Sequence, residues 1–245
     1  MKKIENGKLK IETPLSSLCR VLDKNSGITF EAGNIYNLGE LKAPVGLCYK
    51  GSWDEWTNLR GMFSEGDYYV AKNVVCPANT TFKFVIKSSG VMMGATSATI
   101  SLGTWNAFAN NDIKIASAGT YNIYVSKKNG AWSVVKVGNT VPTLNKKYLY
   151  LMPNNDWKSA SAKFVAWCYG GTATATNKNF TWAMWEGNND YYYLDITGHK
   201  QFYIKRVDPS NTNTTWNEVG PVTIGDNSLI KITGWTAYNV TTLVP

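Results

Sequence analysis

The stretch Lys163-Phe164-Val165-Ala166-Trp167-Cys168-Tyr169 decides the fold. In an extended strand successive side chains point to opposite faces. Phe164, Ala166 and Cys168 then share one face, and Val165, Trp167 and Tyr169 share the other. The first set is small and apolar and suits a core. The second displays two rings two residues apart, about 7 Å along a strand. Gly170-Gly171 closes the run, and a β-branched, aromatic stretch bounded by glycine reads as a strand.

Working outward, the same pattern recurs. Residues 81–87 (TFKFVIK), 120–126 (TYNIYVS), 132–137 (WSVVKV), 147–152 (KYLYLM), 191–196 (YYYLDI) and 201–206 (QFYIKR) are predicted strands, and no window shows an apolar repeat of 3.6 residues. Lys128-Asn129-Gly130 carries the Asn-Gly signal of a tight hairpin. The chain is therefore all-β, and 245 residues suit two modules of about 100 residues each with a remainder. Pro, Asn and Thr without alternation mark residues 139–146 as a linker between modules at 44–138 and 147–245. Residues 1–43, with weaker strand signals at 8–12, 28–31 and 35–38, are too short to bury a core alone. The expected architecture is tandem antiparallel β-sandwiches of immunoglobulin-like form.

The two modules resemble each other. Val45-Gly46-Leu47-Cys48-Tyr49-Lys50-Gly51 parallels Val165 to Gly171. Trp53 and Trp56 parallel Trp182 and Trp185, and Asp67-Tyr68-Tyr69 parallels Asp190-Tyr191-Tyr192. A run beginning Phe82-Lys83-Phe84 parallels one beginning Phe202-Tyr203-Ile204. Four elements in the same order point to duplication, against chance sharing of strand residues.

Aromatic residues are in surplus, at 13% with 10 Trp and 14 Tyr, so some rings stand outside the core. Flat rings with polar neighbours suit a sugar, whose C–H faces are apolar and whose hydroxyls need donors and acceptors at the edge. Trp167, Tyr169 and Trp182 are the expected platform. Lys205, Arg206, Trp216 and Asn217 are expected around it, with Asn211 and Asn213 in the same loop. Tyr49, Trp53 and Trp56 form a second, weaker candidate. Trp157 and Trp235, near the module's ends, read as core, and alternation leaves Trp185 open to either face.

Catalysis finds little support. A glycosidase needs two opposed carboxylates, whereas Asp54, Glu55, Glu65, Asp156, Glu186, Asp208 and Asp226 are mostly in turns. His199 is the only histidine, which excludes a serine triad and a multi-histidine metal site, and its turn setting predicts exposure. No cofactor is expected. Asp226-Asn227 could offer oxygens to calcium, without a recognisable calcium loop. Cys19, Cys48, Cys76 and Cys168 have neither zinc nor disulfide spacing and read as small buried residues.

The net charge of +8 is scattered singly or in pairs, with no basic stripe, so nucleic acid is not an expected partner. Residues 1–13 lack the apolar segment of a leader. Export would rely on a signal outside this sequence, and membrane contact on a lipid anchor likewise outside it. A monomer is expected.

From about Tyr148 to Val244 the chain resembles starch-binding modules of carbohydrate-binding module family 26 and their relatives in surface proteins of Gram-negative gut bacteria. The resemblance rests on Tyr150-Leu-Met-Pro153 with Trp157, on Ala162-Lys-Phe164-Val-Ala166-Trp-Cys-Tyr169, and on Trp182-Ala-Met184. It continues through Ile204-Lys-Arg206-Val-Asp-Pro209 and Thr215-Trp216-Asn217. It implies a carbohydrate-binding-module sandwich in which Trp167, Tyr169 and Trp182 stack on α-glucan such as starch or maltooligosaccharide. Residues 44–138 are similar to SusE and SusF repeats of starch-utilisation systems, through Trp53, Phe82-Lys83-Phe84, Gly119-Thr-Tyr121-Asn-Ile-Tyr124 and Trp132. Leu47 stands there where Trp167 stands in the second module. Residues 27–36 resemble the end of a fimbrillin-like domain. The resemblance implies non-catalytic polysaccharide binding at an extracellular, outer-membrane surface as a lipoprotein. The competing expectation is a structural or adhesive surface protein whose sandwiches are spacers without a sugar site.

Overall fold

The structure is a computed structural model that describes residues 2–5, 8–12, 19–22, 46–186, 189–226 and 228–244. At the N-terminus β1 (Lys2–Glu5), β2 (Lys8–Glu12) and β3 (Cys19–Leu22) pair as an antiparallel meander. The expected strand at 8–12 is β2; those at 28–31 and 35–38 lie outside the described residues.

Ten strands follow: β4 (Leu47–Gly51), β5 (Arg60–Gly61), β6 (Phe63–Glu65), β7 (Tyr68–Cys76), β8 (Thr80–Ile86), β9 (Met92–Met93), β10 (Asn106–Ala107), β11 (Ile113–Ile115), β12 (Gly119–Ser126) and β13 (Ala131–Lys136). They make one sheet in the order β10-β13-β12-β7-β6 and another in the order β11-β8-β4-β5, with β9 on β8. The C-terminal part begins with β14 (Tyr148–Met152), a short helix α1 (Asn155–Lys158), β15 (Lys163–Tyr169), β16 (Thr176–Asn179) and β17 (Thr181–Glu186). It continues with β18 (Asn189–Asp195), β19 (Gln201–Val207), β20 (Thr215–Thr223), β21 (Leu229–Ile232) and β22 (Tyr238–Thr241). These form sheets β17-β18-β14-β21-β22 and β16-β15-β19-β20. Neighbouring strands are antiparallel except β14 and β21. The protein is all-β, with sheets packed as sandwiches.

The two sandwiches share a strand order. β5-β4-β8-β11 matches β16-β15-β19-β20, and the edge hairpin β6-β7 matches β17-β18. They differ at β14, which lies between β18 and β21, whereas β7 pairs directly with β12. The residue-level match expected from sequence needs a correction. Leu47 and Tyr49 face the core beside Phe82 and Phe84, which puts Cys48 on the other side of its sheet. Cys168 faces the core with Phe164 and Ala166. A one-residue slip exchanges the faces of a strand, so Cys48 and Cys168 are not equivalent.

Residues 138–147 contain no strand, but they do not leave the sandwiches independent. In β14, Leu149 and Leu151 enter the C-terminal core, while Tyr148 and Tyr150 pack into the cluster that includes the N-terminal core. Tyr191 and Leu194 of β18 divide in the same way. β14 and β18 are thus covered on both faces. Tyr150 Oη accepts from the Phe108 N–H at 2.7 Å and donates to the Gly130 carbonyl at 2.8 Å, tying both modules through one buried hydroxyl. Gly130 is required there: its φ is +57°, and a Cβ would come within 2.8 Å of the Tyr150 ring. The Asn-Gly hairpin read from the sequence therefore does more than turn the chain. Its Asn129 carbonyl accepts from Tyr148 N–H, and its amide donates to the Lys146 carbonyl at 2.8 Å.

Candidate ligand-binding surface

With β14 and β18 covered on both faces, the open sheet face of the C-terminal sandwich is the outer side of β16-β15-β19-β20. β15 alternates as read: Phe164, Ala166 and Cys168 are buried at 3%, 0% and 0%, and Trp167 and Tyr169 are half-buried on the outer side. Val165, also outward, is buried between its cross-strand neighbours Asn179 and Lys205. Trp167 stands opposite Asn177 on one side and Tyr203 on the other. Tyr203 lies parallel to Tyr169, with ring centroids 5.8 Å apart and planes 14° apart. Desolvation first, and then Tyr203, raise the Tyr169 phenol pKa. Lys205 pairs with Glu218 at 3.5 Å on the same face. The face thus holds three rings flanked by amides and an ion pair.

Trp182 is not on this face. The chain leaves β16 through Phe180, whose N–H still bonds to the Phe164 carbonyl, and then crosses to the other sheet as β17. Trp182 stands opposite Tyr192 there, five residues beyond Asn177 or about 16 Å of strand. It is 45% exposed. The side chains of Met184 and Trp185 lie outside what the structure describes. Tyr203, not among the expected residues, is the third ring on this face. Its signal was present in Gln201-Phe202-Tyr203-Ile204-Lys205, where alternation separates Tyr203 and Lys205 from Phe202 and Ile204.

Arg206 does not offer a free cation to a ligand. It has the core-facing parity of Phe202 and Ile204 and is 6% exposed. Its Nε donates to the Trp157 carbonyl at 2.9 Å, its Nη2 to the Ser159 carbonyl at 2.8 Å and Oγ at 2.9 Å, and its Nη1 to Asn217 Oδ1 at 3.4 Å. The charge is stabilised by these bonds and by two rings: the guanidinium carbon lies 4.6 Å from the Trp216 centroid and 5.7 Å from that of Trp235. Trp157 is core, as expected, and stacks on Phe164. Trp235 is not: it is 48% exposed, because the bend between β21 and β22 carries it past the end of the sandwich.

In the N-terminal sandwich the weaker candidate set is mostly structural. Tyr49 is 7% exposed in the core, and burial first, offset in part by Arg60, pushes its phenol pKa up to about 12. Trp53 is half-buried, edge-on to Tyr49 and capped by the Arg60 guanidinium at 4.7 Å, which also pairs with Asp54 at 3.3 Å. Trp56 is half-buried in a tight turn at φ +63°.

His199, expected at the surface, is 6% exposed and its Nδ1 has no partner. The loop after β15 folds over it, with Ala173 N–H bonded to the Gly198 carbonyl at 3.0 Å. Desolvation and then Lys178 lower its pKa, against a smaller opposite effect of Asp195. Cys48, Cys76 and Cys168 are buried free thiols, the last with its pKa raised by burial to about 11. Asn227 lies outside the described residues, and among the described residues no group of His, Cys, Asp and Glu could hold a metal. Among them, too, no helix is long and apolar enough to cross a membrane. Compared with known proteins, the chain matches no family model, no curated protein and no solved structure.

Proposed function

We propose that the protein binds polysaccharide without chemically altering it, on the outer face of β16-β15-β19-β20. α-Glucan is the proposed ligand class and a bacterial cell surface the proposed setting, both from the resemblance of Tyr148 to Val244 to starch-binding modules. The observation that carries the reading is that Trp167, Tyr169 and Tyr203 share a solvent-facing side while the core beneath is already filled by Phe164, Ala166, Cys168, Phe202 and Ile204. Rings the core does not need are available to the apolar face of a sugar. Asn177, Asn179, Gln201 and Lys205 are placed to meet hydroxyls at the edge. Glu218 is the only carboxylate in these four strands and it pairs with Lys205, which speaks against the two opposed acids of a glycosidase.

The test is isothermal titration with maltoheptaose and affinity electrophoresis in amylopectin gels. Trp167→Ala and Tyr203→Ala are each expected to weaken binding about tenfold, the loss of about 1.4 kcal/mol of ring contact. Variants that migrate with the parent sink the platform. The continuous core between the modules favours a second reading, a rigid spacer in a surface assembly. Acrylamide quenching separates the two: maltoheptaose protects tryptophan emission in a binder and leaves it unchanged in a spacer.

A further inference from the structure

Trp216 and Trp235 are 37% and 48% exposed at the end of the C-terminal sandwich, where the core is already closed by fully buried Trp157. Nothing in that core calls for two more indoles. Both are nevertheless held in place. Arg206, with four of its donor contacts directed at Trp157, Ser159 and Asn217, presents its flat cation to both rings. The Trp235 carbonyl accepts from the Trp157 indole N–H at 3.1 Å, and the bend around it is closed by Thr233 and Gly234 N–H groups on the Ala237 carbonyl. Exposed rings fixed in this way lose little conformational freedom when a ligand arrives.

We infer that this end of the sandwich is a second saccharide subsite, in which Trp216 and Trp235 take the C–H face of a neutral pyranose and Asn217 with the Asn211–Asn213 loop meets its hydroxyls. The inference rests on the polysaccharide-binding reading above. A neutral sugar fits better than an anionic one because the guanidinium is buried and its hydrogen bonds are engaged by the protein. An amide-rich rim serves hydroxyls as both donor and acceptor. Arg206 is here a positioning residue and does not touch the ligand.

The subsite is separate from the platform. On β19 Arg206 lies three residues beyond Tyr203, about 10 Å along the strand, and has the opposite parity. The two ring sets therefore lie to different sides of β19.

Titration with maltotetraose, cellotetraose, mannotetraose and laminaritetraose tests this. For the oligosaccharide that binds, the parent is expected to take two per chain, and W216A/W235A and W167A/Y203A one each. The inference is overturned if W216A/W235A keeps the parent's stoichiometry and Kd, or if W167A/Y203A abolishes all binding. Should W216A/W235A unfold, Trp235→Leu carries the test, since it keeps the backbone carbonyl used by Trp157; it is expected to weaken one of the two sites at least fivefold, and an unchanged isotherm overturns the inference. A parent that binds none of the four sinks the polysaccharide reading and the subsite with it, whereas a parent that binds at the platform alone sinks only the subsite.

Discussion

In the N-terminal sandwich β4 turns Tyr49 into the core against Phe84, whereas in the C-terminal sandwich the strand in the same place, β15, turns Trp167 and Tyr169 outward. The frames around them are alike, four strands in the same order. What differs is one residue of register and the content of the core: Phe82, Phe84, Phe108, Trp132, Tyr121 and Trp105 are among the rings that fill the first, and mostly aliphatic side chains with Trp157, Phe164 and Phe202 fill the second. A sheet that places its large rings inside has none left for its face. Similar topology thus does not carry an aromatic outer face from one sandwich to the other; the parity of a single strand decides it.

The largest expected effect tests where the rings do structural work. Trp132 is fully buried with its N–H on the Ala107 carbonyl at 2.9 Å. Trp132→Ala is expected to lose about 3–5 kcal/mol in urea unfolding, from the cavity and lost burial. Trp167→Ala is expected to change stability by about 0.5 kcal/mol, as for most surface substitutions. Equal losses at the two positions would break the comparison.

Next comes the hydroxyl between the modules. Tyr150→Phe leaves the buried Phe108 N–H without its partner, an expected cost of about 1–3 kcal/mol. Because the two cores meet at Tyr148 and Tyr150, the parent is expected to melt in one calorimetric transition. Two separate transitions would show that each sandwich folds by itself and that the shared cluster contributes little.

A smaller effect distinguishes the sandwiches by pH, since the chain's only histidine belongs to the C-terminal one. His199 has a folded pKa below its unfolded value of about 6.5. The unfolded state binds the proton more tightly, so the stabilisation from neutral burial is complete above about pH 6.5 and is lost as pH falls through the folded pKa. Denaturation midpoints measured from pH 7.5 to 5 are expected to fall, and His199→Gln is expected to flatten that slope. An unchanged slope in the variant would place the titration elsewhere.

The smallest effect is at the linker. Desolvation alone would raise the Asp195 pKa, but the carboxylate accepts from Lys146 at 2.8 Å and from Thr197, and together these lower it. Its contribution is present above the unfolded value of about 3.9 and is lost as pH falls through the folded one. Both side chains are more than a third exposed, so Asp195→Asn is expected to cost no more than about 1 kcal/mol, less in high salt. A larger loss would mean that the linker contact holds the modules together more than the tyrosines do.

The sequence was most informative where a strand has one polar and one apolar side. Lys163–Tyr169 was readable because Phe164, Ala166 and Cys168 supply a complete apolar face, and Gln201–Val207 because Phe202 and Ile204 alternate with Gln201, Tyr203 and Lys205. Leu47-Cys48-Tyr49 was not, since all three are apolar and buried, and in this five-residue strand Lys50 alone marks the outer face. Trp235 lies in a bend, where no period applies, and its exposure depends on how far β21 and β22 extend past the core. His199 follows a glycine in a turn, a surface signal, and is buried only because a loop from β15 folds back on it.

From the sequence came the all-β class, the places of β8, β12, β13, β14, β15, β18 and β19, and the outward direction of Trp167 and Tyr169, because strand formation and side-chain parity are local properties of the backbone. β7 and β20, the longest strands, were not read from it. Tertiary structure alone decided that Tyr203 replaces Trp182 beside them, that Arg206 is enclosed, and that the two cores meet at Tyr150. Each of these depends on which strands become neighbours, and pairing between distant segments is selected by the packing of the whole chain.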